Sequence, residues 1–204
     1  MKCKLLAVVA GVLLATAAHA SDIVDQWASM PTPPAPALKP VTVDPKTTAL
    51  LMLDFMPANC GKNDRCLATL PAMKKLLERA RAAKMPVVYT LIANTTAADV
   101  LKDVAPLPDE PSVLSGPDKF IRTDLEKILK DKGVTTVITV GTASNGAVLF
   151  TAAGAVFRGM NVIVPVDGMS ARDPYAELST VFTFTSAPQV SVKSTLTRSD
   201  MIKF

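Results

Sequence analysis

Ala49-Leu50-Leu51-Met52-Leu53-Asp54 is the stretch on which the reading of this chain turns. Five apolar residues in succession, too short a run for a typical helix and closed by a carboxylate, mark a strand covered on both faces, as strands of parallel sheets are. Downstream, Leu70, Met73, Leu77 and Ala80 recur at helical spacing among Lys74, Lys75, Glu78 and Arg79, and Pro86 follows the end of that helix. Val87 to Ile92 reads as a second strand. Ile121, Leu125, Ile128 and Leu129 outline a helix with a Thr123/Glu126 capping box and a stop at Gly133. Val134 to Val140 is a third strand, Asn145 to Arg158 a helix closed by Gly159, and Val162 to Val166 a fourth strand. Weaker elements at Ser112 to Leu114 and Gln189 to Val192 extend the sheet at its edges. This alternation predicts an α/β fold, a doubly wound, mostly parallel, Rossmann-like sheet with helices on both faces.

Outside that domain the N-terminal end has a different character. Lys2 and Lys4, the apolar run Leu5 to Ala18 and the small residues Ala18 and Ala20 predict a signal peptide over residues 1–20. The competing reading is a membrane anchor, but the run falls short of the ~20 residues that span a bilayer. Residues 21–46, with Pro31, Pro33, Pro34, Pro36 and Pro40, predict an extended proline-rich arm, and residues 47–204 the folded domain. No membrane span is expected after processing, and the chain is expected to be periplasmic or secreted.

Composition narrows the chemistry further. The 204 residues are 49% hydrophobic and 20% charged, which suits one folded domain. Of 22 basic and 18 acidic residues, Lys2 and Lys4 lie in the processed segment, so the remaining excess of two gives no reason to expect a nucleic-acid partner. The one histidine, His19, lies there too. Its removal excludes Ser-His-Asp and Cys-His catalysis and His-bearing zinc sites, and the two remaining cysteines exclude a four-cysteine site. Metal and cofactor are therefore expected to be absent; a metal, if bound, would have carboxylate ligands.

Cys60 and Cys66 lie in one loop, and export favours a local disulfide between them; the alternative makes Cys60 a nucleophile near Asp54. Asp54 ends its strand either as a loop carboxylate or as a general acid or base. Gly141-Thr142-Ala143-Ser144-Asn145-Gly146-Ala147 enters a helix after a strand, which fits an anion site built from backbone amides or an ordinary start capped by Ser144. Its glycines match neither GxGxxG nor a P-loop, so nucleotide binding is not expected. Lys119 reads as a solvated lysine, with Asp118 as a surface partner, or as an electrostatic partner of a site.

Together Ala49 to Phe55, Phe120 with Thr123-Asp124-Leu125, Gly141 to Val148 and Thr151-Ala152-Ala153 resemble the isochorismatase-like hydrolase superfamily, in that family's order and over roughly residues 47–171. The resemblance implies a parallel α/β sheet and, in many members, cysteine hydrolysis by an Asp, a Lys and a Cys. It places the catalytic aspartate at Asp54 and the nucleophile position at Ala147, which cannot form a thioester. The family lysine would fall at Leu114, with Lys119 close by, and the oxyanion site at the backbone amides of Ala143 and Ala147. Isochorismatases proper also lack the cysteine, because protonating a vinyl ether yields an oxocarbenium ion that water traps without a covalent nucleophile. The expectation is an exported hydrolase of a small organic acid, enol ether or amide, with Asp54 as acid/base and Lys119 as its partner. The alternative is a catalytically inactive binding or scaffold protein of the same fold. A small-molecule substrate is the expected partner, and a homo-oligomer is allowed.

Overall fold

At the centre of the sheet lies the apolar run that ends at Asp54. The computed structural model describes residues 21–204, and the expected signal peptide, with Cys3 and His19, lies outside them. In chain order the elements are β1 (Val41–Thr42), β2 (Thr48–Leu53), α1 (Asp64–Leu67), α2 (Leu70–Ala82), β3 (Val87–Leu91), β4 (Ser112–Leu114), α3 (Leu125–Asp131) and β5 (Thr136–Thr142). A π-helical turn (Ser144–Val148) leads into α4 (Leu149–Phe157). Then follow β6 (Asn161–Pro165), β7 (Met169–Ser170), α5 (Pro174–Ser186), α6 (Val190–Lys193), β8 (Ser194–Thr197) and β9 (Ile202–Lys203).

The main sheet runs β4-β3-β2-β5-β6-β8, with β7 added beside β5, and its strand pairs are parallel. Strand order therefore reverses between β2 and β5, where ligands bind in open sheets of this kind. Every residue of β2 is buried, as a strand with helices on both faces requires. Leu50 and Met52 enter one core with Met73, Leu76 and Leu77 of α2. Ala49, Leu51 and Leu53 enter the other with Leu125 and Leu129 of α3 and Ala152 and Ala155 of α4. The two-residue period of β2 thus divides one apolar run between two helix layers.

The chain divides into two units, residues 1–34 and 35–204. In the described part of the first, Asp22 accepts hydrogen bonds from the amides of Val24 and Asp25, a one-turn helix covers Trp27–Ser29, and an exposed proline-rich stretch follows. In the second, β1 pairs with β9, and the Lys39 amide donates to the Leu196 carbonyl, so residues from Ala35 onward share the folded unit.

Three local expectations are corrected. Residues 189–192 are not a strand: Gln189 adopts a φ of 64°, α6 follows it, and β8 begins only at Ser194. The Thr123/Glu126 capping box does not form, because Thr123 Oγ accepts from the Leu125 amide and Glu126 pairs with Arg158 instead. Ser144 does not cap the helix after β5; its buried hydroxyl has no partner among the described residues. Helix α5 carries no clear apolar stripe in the sequence, since Thr180, Thr183 and Thr185 interrupt it, although Asp173-Pro174 at its start is a legible cap.

Candidate active site

Asp54 sits one residue past the end of β2 with a φ of 55°, a left-handed conformation that aspartate tolerates better than most residues. Thr90, which faces Leu53 across the β2–β3 register, holds it there. The Asp54 amide donates to Thr90 Oγ1 at 3.2 Å, and Thr90 Oγ1 donates to Asp54 Oδ1 at 2.7 Å. The other carboxylate oxygen, Oδ2, accepts from Lys119 Nζ at 2.7 Å. Side-chain exposures of 1% for Lys119 and 6% for Asp54 make this a buried ion pair.

The solvated reading of Lys119 is therefore overturned. Asp118 does not pair with it either; Asp118 Oδ1 accepts from the Phe120 amide and lies against Gly154 of α4. A Cβ at Gly154 would come within 3.0 Å of that carboxylate and 3.1 Å of the Phe120 ring, so the glycine lets the 117–120 segment lie close on α4. Thr151 Oγ1 accepts from the Lys119 amide, Thr123 Oγ1 donates to the Lys119 carbonyl, and Arg158 stacks over the Phe120 ring at 4.3 Å. The backbone is fixed on both sides, and the lysine side chain turns inward, where Nζ also donates to the Ser115 carbonyl at 3.2 Å.

The reversal point brings the second strand end beside the first. Gly141, with a φ of 138°, faces Leu53 so closely that a Cβ would stand 2.0 Å from the Leu53 carbonyl oxygen. Only glycine fits that position. After it the Thr142–Ala143 peptide is cis and the chain enters the π-helical turn. Asp54, Lys119, Ala143 and Ala147 all line one cavity of about 490 Å³, together with Asn59, Ile92, Leu114 and Ser115. Asp54, Lys119, Ala143 and Ala147, expected from the sequence to act together, are thus brought together, and Ala147 lies on the cavity wall.

Cys60 and Cys66 form a disulfide and both are buried, so neither offers a free thiol. Asn59, the residue just before Cys60, lines the cavity beside the loop they close. A second bond ties that loop outward: Arg65 pairs bidentately with Glu177 of α5, whose hydrogen bond and charge push the guanidinium further above its ordinary range. Thr90, Ser115 and Asn59 escaped the sequence reading. Thr90 had a signal, a hydroxyl within a wholly buried strand, whereas Ser115 and Asn59 lie in loops whose placement no local pattern encodes. Among the described residues no group of three or more His, Cys, Asp or Glu side chains could hold a metal ion, and no helix is long and apolar enough to cross a membrane.

The isochorismatase domain model matches residues 48–186. The secreted isochorismatase effector Isc1 of Verticillium dahliae is 30% identical over 117 residues, which are 52% of this chain and 62% of that protein, so the match spans under two thirds of the relative's length. Among solved structures, a cysteine hydrolase from Pseudomonas syringae pv. phaseolicola superposes with a TM-score of 0.70 at 21% identity, covering 81% of this chain and 94% of that one. N-carbamoylsarcosine amidase from Thermoplasma acidophilum gives 0.65 at 23% identity, covering 76% and 97%. At these identities the structural likeness speaks for the fold.

Proposed function

We propose that this chain, which belongs to the isochorismatase family, is an exported hydrolase of small organic acids, enol ethers or amides that works by acid/base chemistry at Asp54 without a cysteine nucleophile. One observation carries the reading: the buried Asp54–Lys119 pair, 2.7 Å apart, borders a cavity whose wall at the helix entry is Ala147. Burying two charges costs several kcal/mol per ion before their attraction offsets it, and apolar residues of the same volume would serve stability as well. A charged pair kept at a cavity is better explained by chemistry.

For a vinyl ether the steps balance. In the form of the site in which the Asp54 carboxyl has taken up a proton beside the Lys119 ammonium, Asp54 gives that proton to the enol carbon, leaving an oxocarbenium ion; water adds to that ion and returns a proton to the carboxylate; the hemiketal collapses to a carbonyl and an alcohol. One water is consumed and Asp54 is regenerated. The Lys119 ammonium beside Oδ2 stabilises the carboxylate present between the two transfers, and Thr90 orients it through Oδ1. For an ester or amide the same carboxylate would take a proton from attacking water, and the amides of Ala143 and Ala147 would hold the oxyanion. Export is supported by the signal-peptide pattern of residues 1–20, the Cys60–Cys66 disulfide and the secreted relative.

A second reading, a catalytically inactive binding protein, is favoured by one fact: both Asp54 oxygens already have internal partners, Thr90 and Lys119. Screening the exported protein against vinyl ethers, esters and amides separates the two. The hydrolase reading expects turnover that falls by about 10² to 10⁴ in Asp54→Asn at unchanged circular dichroism, and persists in Cys60→Ser. Turnover that survives Asp54→Asn would overturn the assignment of Asp54; no turnover with any class would leave the binding protein.

A further inference from the structure

Beside the Asp54 cavity lies a second one of about 340 Å³, and Asn59, Thr142 and Ala143 line both. Asn63, Asn145, Arg172 and Asp173 are the polar residues among its remaining walls, with Ala171 and Ala176 between them. Asn63 is buried, its Oδ1 spent on the Arg65 amide at the start of α1, so only its amide N–H groups remain to be used. Asn59 and Asn145 contribute two more side-chain amides, neither with a hydrogen-bond partner among the described residues. Arg172, at the cavity edge, has no ion pair or hydrogen bond among the described residues. Asp173 also lines the cavity as a negative charge; its Oδ1 accepts from the Tyr175 amide as the cap of the 13-residue α5, which directs that oxygen to the helix start. Glu177 is likewise held by Arg65 and by the Ala171 amide. The cation left over is Arg172, set among three amide side chains that can donate.

On this basis we propose that the second cavity is a carboxylate-binding subsite, in which Arg172 and the Asn63, Asn59 and Asn145 amides hold the carboxylate of a substrate whose reacting group lies against Asp54. A guanidinium presents paired donors that match a carboxylate, and side-chain amides supply additional neutral donors. The first cavity, lined by Ile92, Ala93, Leu114 and Pro117, suits the apolar body of such a molecule. The substrate class is then narrowed within the proposed hydrolase function to small organic acids, with the carboxylate at a distance from the bond that is cut. This inference rests on that function for its substrate, but the subsite is testable without turnover.

The test has two arms. In the first, the exported protein is titrated with benzoate and succinate and with their methyl esters, followed by NMR of the asparagine side-chain amides. Expected is saturable binding of the carboxylates, binding of the esters weaker by roughly tenfold or more, loss of the preference in Arg172→Met and its partial return in Arg172→Lys. In the second, any substrate found by the hydrolase screen is paired with its neutral amide or ester. The acid should be preferred, and Arg172→Met should lower that preference about tenfold, chiefly through KM. Carboxylate binding through Arg172 without any turnover would keep the subsite and sink the hydrolase reading. Turnover with equal use of acids and neutral analogues, unmoved by Arg172→Met, would do the reverse. Equal binding of carboxylates and esters, or none of either, overturns the subsite.

Discussion

Two ion pairs, one lining the Asp54 cavity and one tying the disulfide loop to α5, differ in almost everything except chemistry. Asp54–Lys119 joins residues 65 apart in sequence at side-chain exposures of 6% and 1%; Arg65–Glu177 joins residues 112 apart at 46% and 19%. The first is withdrawn from water and supported by Thr90 and the Ser115 carbonyl, so neither partner has solvent to fall back on. The second is partly exposed, so water and salt can replace either partner. Similar contacts thus carry opposite meanings: the buried pair is a commitment of the core, the exposed pair a tether for the disulfide loop.

The comparison is most severely tested by removing one buried partner. Lys119→Ala leaves the Asp54 carboxylate without its cation, and a loss of about 3–5 kcal/mol in denaturant unfolding is expected, as for other broken buried pairs. Replacing both partners, Asp54→Asn with Lys119→Met, should return most of that loss, since the core then holds no unpaired charge; a double variant as unstable as Lys119→Ala would mean that shape rather than charge is at stake. Next in size is the loop itself. Cys60→Ser with Cys66→Ser opens a short cross-link, and chain entropy for so small a loop gives about 2 kcal/mol, read as a lower melting temperature. Smallest is the tether: Arg65→Met should leave the melting temperature near that of the parent, and raising the salt concentration should erase whatever difference exists, whereas the Lys119→Ala deficit should persist in salt.

The sheet was largely legible because its signal is local. Strands such as Ala49–Leu53 and Val162–Val164 are unbroken apolar runs, and helix α2 repeats its apolar residues on one face, so hydrophobic period alone places them. Local pattern failed where the deciding partner is remote. Residues 189–192 carry two valines in a strand-like run, but the chain there turns at Gln189 into α6. The capping box at Thr123 is a sound local signal that lost to Arg158, which draws Glu126 away across the fold.

The candidate site divides along the same line. From the sequence alone came a strand ending in Asp54, a strand running into Gly141 through Ala147, an alanine at 147, and two cysteines close enough to bridge. Each is a property of a few consecutive residues. Only the tertiary structure turned Lys119 inward, because that depends on Gly154 admitting the 117–120 segment against α4 and on Asp54 waiting across the sheet. Only it set Asn63, Asn145 and Arg172 around one cavity, from two loops and the π-helical turn, which share no pattern. Backbone period and apolar burial are written into neighbouring residues; the meeting of a charge with its partner depends on where the packed elements leave it, and that is settled by the whole fold.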